Sequence, residues 1–400
     1  MRSDWVAASV RARSMAQRRV GAGTCRDIAG APGLQAALGQ LADTVYGKEL
    51  VDGRELHGRE PHGREPHGRE FQPVQTLSEA HRATRRRVLW QLRVLAGWLP
   101  AGGTRLVRAA AAAFEVDNIL ALDLHLRREH AGRENAAGAA TGLTAGASAG
   151  TGTGAGTSTG AETFRAFDLG GLATAWPRLQ AAATEEELRS ALASSPWGDP
   201  GTETALPDIL TAVWLRRLTA EAAAVRPWAA GAAALIAART VVVDRAVPAP
   251  RLVTLLRPLL GTAWTGTGYP ATGNPTPRGP AGTAPANTPE PAGPAGPEAG
   301  SDSAASSDTA ALETLRSTLP PAAAQALDGV ERPAGLWRAE AALAARIESD
   351  GFSLLRAGLP GPDVVLGAMA VLAADAWRVR AALASAAVQT GTSEVLDAVA

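Results

Sequence analysis

Val365, Met369, Leu372, Ala376, Val379 and Leu383 recur in alternating steps of four and three residues. That spacing keeps one stripe of a helix apolar along its length and does not fit the two-residue alternation of a half-buried strand. Pro362 stands just ahead of the seam, where a proline suits the first helical turn. Val88, Leu92, Leu95 and Leu99 follow the same logic in an earlier block, with Arg86 and Arg93 off the stripe and Pro100 placed to stop the helix. Strand-favouring residues almost never alternate with polar ones. The longest β-branched run, Thr240 to Val243, directly follows a helical pattern. The expected fold class is all-α.

Three low-complexity stretches cut this helical sequence. Asp52 to Glu70 repeats a five-residue HGREP unit whose Gly and Pro forbid a continuous helix. Ala131 to Gly160 is mostly Gly, Ala, Thr and Ser, and Thr265 to about Asp308 is mostly Pro, Gly and Ala. None holds enough large apolar side chains to offset the entropy of ordering it, so all three are expected to be linkers or loops. The expected organisation is two helical blocks of a first unit (1–51 and 75–130) around the HGREP linker (52–74). A Gly/Ala/Thr linker (131–163), a second unit (164–264), a Pro/Gly/Ala linker (265–309), a third unit (310–390) and a tail (391–400) follow.

The helical blocks repeat. Leu41 to Gly47 reads LADTVYG and Leu192 to Gly198 reads LASSPWG. Each copy follows a Leu-spaced helix (Leu34 and Leu38; Leu188) and precedes a helix led by tryptophan (Trp90, Leu92, Arg93; Trp214, Leu215, Arg216). A fainter Trp-led copy starts at Trp337. Three related helical units are expected on this order.

Composition narrows the chemistry. The 46% hydrophobic content is inflated by alanine, a strong helix former that buries little area, so Leu, Val and the ten Trp must anchor the core. The 39 basic and 39 acidic residues balance, which gives no whole-chain field to attract nucleic acid or an anionic membrane. Lys48 is the only lysine, a bias that argues against reading special guanidinium chemistry into every arginine. Cys25 stands alone, excluding an internal disulfide and a cysteine-based zinc site, and fits a reducing compartment. The first twenty residues lack the apolar core of a secretory signal. Pro227 to Ala238 and Val364 to Ala374 meet charge before the roughly 18 apolar residues a span requires, so no bilayer crossing is expected.

Motifs that could carry chemistry sit in poor settings. Gly146 to Gly150 matches a nucleophile elbow in letters only, because no strand precedes Ser148 and no helix follows it. Gly150 to Gly156 lacks the Lys-Ser/Thr end of a phosphate loop. His57, His62 and His67 recur beside Glu60, Glu65 and Glu70, residues that can ligate a transition metal; copying of a short tandem repeat gives the same period and is the favoured explanation. Arg82, Arg85, Arg86 and Arg87 form the densest basic cluster, read as a solvated face. No catalytic, cofactor-binding or metal-ligating residue is assigned.

The remaining polar candidates lie on apolar helices. Between Phe114 and Leu126 little polar face is left, so Asp117 and Asn118 must find hydrogen-bond partners or cost a few kcal/mol each. They either stitch neighbouring helices or meet a partner protein. Asp375 and Arg378, at i and i+3, pose the same question and are spaced to pair with each other.

Laid out in order, these segments resemble the C/d family of central-stalk proteins of the V/A-type ATPases. VAASVRARSMAQRR followed by LQAALGQLADTVYGKEL is similar to the family's first helix with its Arg-x-Arg element and its Leu…Thr-x-Tyr-Gly segment. FEVDNILALDLHLR is similar to its acidic-x-x-Asn helix, which would place Asp117, Asn118 and Arg127 on that motif. GPDVVLGAMAVLAADAWRVRAAL is similar to its C-terminal helix, with Asp375, Arg378 and Arg380 near the acidic and Arg positions. The resemblance implies a funnel of three helical units, cytoplasmic and peripheral to the membrane, that couples the central shaft of a rotary ATPase to the proteolipid ring for proton or sodium transport. It implies no cofactor. A generic helical scaffold or regulator, using Arg82 to Arg87 on nucleic acid, is the alternative.

Overall fold

The computed structural model describes residues 3–50, 74–142, 165–202, 205–266, 299–356 and 358–389. Every regular element among them is helical. In chain order these are α1 (Val6–Gln17), α2 (Gly21–Ala29), α3 (Leu34–Gln40), α4 (Gly47–Leu50), α5 (Leu77–Ala96), α6 (Ala101–Gly142), α7 (Trp176–Leu179) and α8 (Glu185–Ala193). There follow α9 (Leu206–Glu221), α10 (Arg226–Ala238), α11 (Pro250–Leu260), α12 (Ala299–Thr318), α13 (Pro321–Ala324), α14 (Leu336–Arg356) and α15 (Pro362–Val388). The all-α expectation holds. None of the described helices is long and apolar enough to cross a membrane.

Two compact units result, residues 1–226 with 341–400, and residues 227–340. The three-unit funnel read from the sequence remains an expectation, because the division seen here joins the first and last blocks of the chain in one unit.

That union is made by α15. Its seam residues Val365, Met369, Leu372, Ala376, Val379 and Leu383 are all buried, and it packs on α1, α2, α3 and α5. Each of its larger apolar side chains contributes about 1.5–3 kcal/mol on leaving water. Small residues let the backbones close in: a Cβ on Gly367 would lie 2.5 Å from the carbonyl oxygen of Gly351 on α14, so only glycine fits that crossing.

Local signals set the other helix ends. Thr76 and Glu79 form a reciprocal capping box at the start of α5, and Thr184 accepts the Glu187 amide at the start of α8. α5 ends at Ala96, before the expected stop at Pro100, and its stripe residues Val88, Leu92 and Leu95 are buried. Two helices run into stretches expected to be linkers, α6 to Gly142 and α12 from Ala299, since alanine sustains helical backbone where large side chains are missing. The β-branched run Thr240 to Val243 forms a π-helical turn, with the Thr240 hydroxyl donating to the Ile236 carbonyl. On α6, Val116, Ile119, Leu122 and Leu126 are buried but Leu124 is 47% exposed, so this helix is not apolar on every side in effect.

The repeat is visible atom by atom. In LADTVYG the Thr44 hydroxyl donates to the Leu41 carbonyl at 2.7 Å and accepts the Tyr46 amide at 3.2 Å. In LASSPWG the Ser195 hydroxyl donates to the Leu192 carbonyl at 2.8 Å and accepts the Trp197 amide at 3.1 Å. Backbone bonds from Gly47 to Thr44 and from Gly198 to Ser195 close both turns. The turn buries the aromatic that follows it. Tyr46 and Trp197 are among the largest fully buried side chains, and so is Trp264 in the 227–340 unit, which also follows a Leu five residues back and a Thr two residues back.

Candidate functional site

The polar positions on α6 and α15 form the candidate site. On α15, the Asp375 carboxylate accepts the Val20 amide at 3.1 Å, the Gly21 amide at 2.8 Å and the Tyr46 hydroxyl at 3.0 Å. Gly21 is the first residue of α2, so the acid satisfies amides that a helix start leaves without intrahelical partners. Burial pushes the carboxyl above its ordinary range, against the opposing pull of these three donors. The same burial, with the neighbouring Asp375 charge, raises the Tyr46 phenol well above its usual value. It also lifts the nearby Cys25 thiol to about 12, which makes that cysteine a poor nucleophile.

The expected contact of Asp375 with Arg378 gives way to longer-range ones. Arg378 reaches Glu348 on α14, and Arg19 lies 3.9 Å from the same carboxylate while stacking on Phe352 at 4.5 Å. Further along α15, Arg380 lies among Arg85, Asp117 and the His81 ring, whose nitrogen meets the Arg380 carbonyl at 3.0 Å. Burial first, then the repulsion of Arg85, brings the Arg380 guanidinium down to about 10.

On α6, Asn118 binds the Phe167 backbone in both directions, donating to its carbonyl at 2.9 Å and accepting its amide at 2.6 Å. Asp117 pairs with Arg85 of α5; its burial outweighs the attraction of Arg85, Arg380 and Arg82 and lifts its carboxyl to about 6. Arg127 bridges Asp123, one turn back at 2.8 Å, and Glu185 of α8 at 3.6 Å.

The residue that sequence reasoning missed is Glu115. It is fully buried, and its carboxylate accepts the amides of Thr174, Ala175 and Trp176 at 2.9, 2.6 and 2.7 Å, at the start of α7. Its spacing carries the signal. Glu115 and Asn118 stand three apart, as do Asp375 and Arg378, and both acids cap the first helix of a segment that leads to a repeat turn, α2 toward Tyr46 and α7 toward Trp197. Within FEVDNIL the acid three residues before Asn118 is Glu115, which caps α7, whereas Asp117 meets Arg85 of α5.

Asp375, Glu115 and Asn118 pin separate stretches of chain together and satisfy the backbone groups they meet. Among the described residues no group of three or more His, Cys, Asp and Glu side chains is arranged to hold a metal ion. The His57, His62 and His67 repeat and the Gly146 to Gly150 motif lie outside the described residues. Comparison of the chain with family models, curated proteins and solved structures finds no match.

Proposed function

We propose that the chain is a helical connector of the central-stalk kind, coupling the rotor shaft of a V/A-type rotary ATPase to its membrane proteolipid ring without carrying out chemistry itself. The observation that supports this reading is the duplicated module: a buried carboxylate on a long helix caps a short helix, and a hydroxyl-braced turn then buries a large aromatic. A torque-bearing part needs segments that do not slide past one another. Carboxylates fixed by two or three donors and aromatics without solvent access resist such sliding. On this reading the protein works at the cytoplasmic face, peripheral to the membrane, with the shaft and the ring as partners.

The alternative, a generic scaffold or regulator that uses Arg82 to Arg87 on nucleic acid, is weakened by where those side chains go. Arg82 stacks on Phe167, Arg85 pairs with Asp117, and Arg87 pairs with Glu49 and stacks on Trp90. Affinity capture of the tagged protein from native membranes tests the connector. Recovery with stalk or ring proteins of a rotary ATPase is expected, and recovery without any of them overturns it.

A further inference from the structure

We infer that the cleft between α1, the Tyr46 turn and α5 binds a phosphate-bearing small molecule. This inference does not rest on the connector reading. The cleft has two parts with shared walls. A recess of about 40 Å³ is lined by Arg11, Arg18, Arg87, Trp90 and Gln91, and a wider groove of about 690 Å³ continues past Arg18, Arg87 and Trp90 to Lys48. The recess has room for a small oxyanion, and the groove is in the size range of small-molecule sites.

Two observations point to a ligand. The first is polar atoms left over. The Nε atoms of Arg11 and Arg87 and the Oε1 of Gln91 are buried without a hydrogen-bond partner among the described residues, and Gln91 is only 3% exposed. Buried guanidinium donors without acceptors are costly, and a phosphate oxygen between them removes that cost. Its protonated oxygen would serve the Gln91 acceptor.

The second is charge. Arg11, Arg18 and Lys48 line the two parts with no ion pair of their own among the described residues, while Arg87 is held 3.3 Å from Glu49 and Arg19 stands near Glu348. Asp43 is the acid among the groove residues, so cations outnumber acids at the opening. Arg87 stacks on Trp90 at 4.3 Å, and both residues line the recess and the groove. An anion with two or more phosphate groups can fill the recess and reach the groove cations; a single phosphate can use only the recess.

Titration calorimetry of the full chain with inorganic pyrophosphate at low ionic strength tests this. One site of about 100 μM or tighter is expected, with inorganic phosphate at least about tenfold weaker. Arg18→Ala, at an exposed side chain, and Arg11→Gln should each weaken pyrophosphate binding about tenfold or more while circular dichroism stays unchanged; Arg128→Ala, an exposed arginine on α6, should not. If Arg11→Gln fails to fold, Arg18→Ala carries the test alone. No heat with the parent protein up to about 5 mM, or equal binding by the parent and Arg18→Ala proteins, overturns the proposal.

Discussion

The hydroxyl of Tyr46 donates to the carboxylate of Asp375 at 3.0 Å across a sequence separation of 329 residues. The bond ties the first repeat turn to the closing helix, and the same carboxylate holds the first amides of α2. One buried side chain thus joins three segments, and its loss is felt by all of them.

Asp375→Ala should therefore destabilise the chain by about 3 kcal/mol, because two amides and a phenol are left buried without their acceptor. Tyr46→Phe should cost about 1 kcal/mol, and the double variant less than the sum of the two. Urea unfolding followed by circular dichroism reads all three. Additive losses would separate the two residues energetically.

Glu115→Gln keeps the shape but replaces a charged acceptor of three amides with a neutral one. A loss of about 2 kcal/mol is expected, against less than about 0.5 kcal/mol for Asp27→Ala on the exposed face of α2. Equal effects of the two substitutions would remove Glu115 from the duplicated motif.

The two repeat glycines are required for different reasons, so their alanine variants should separate. A Cβ on Gly47 would lie 1.8 Å from the Ala42 carbonyl oxygen, which forces the turn open. Gly198 sits at φ 73°, in the left-handed region where a Cβ is strained. Gly47→Ala should cost more than about 3 kcal/mol and Gly198→Ala about 1 kcal/mol. The ratio of the two losses in urea melts is the readout.

Asp117 adds a pH dependence whose sign follows from burial. Its carboxyl rises from an ordinary 3.8 to about 6, so the folded chain binds a proton more tightly than the unfolded chain. The stability this group supplies is complete below the unfolded value, declines as pH climbs through the window up to about 6 and is absent above it. Between about pH 4 and pH 7 the parent protein should lose stability relative to Asp117→Asn, which cannot titrate. A difference between their urea midpoints that does not change with pH would contradict the assignment.

Much of this was legible in the residues. The four-and-three seam from Val365 to Leu383 needs only helical geometry, and α15 buries every member of it. The likeness of LADTVYG to LASSPWG was visible as letters, and it marks two turns with the same hydroxyl and amide bonds. Asn118 was picked out because a buried amide must be bonded; Phe167 supplies both its partners.

The partners themselves were not legible. Within FEVDNIL the sequence offers two acids, and nothing local tells Glu115, which caps α7, from Asp117, which meets Arg85 on α5. Likewise Asp375 and Arg378 were spaced to pair, yet Asp375 reaches the start of α2 and Arg378 reaches Glu348. Helical periodicity is a property of neighbours three and four residues apart, so the chain by itself marked the apolar seam of α15 and the buried stripe of α5. Which buried carboxylate meets which amide depends on chain brought together from as far as 355 residues away, and only the tertiary packing decided that.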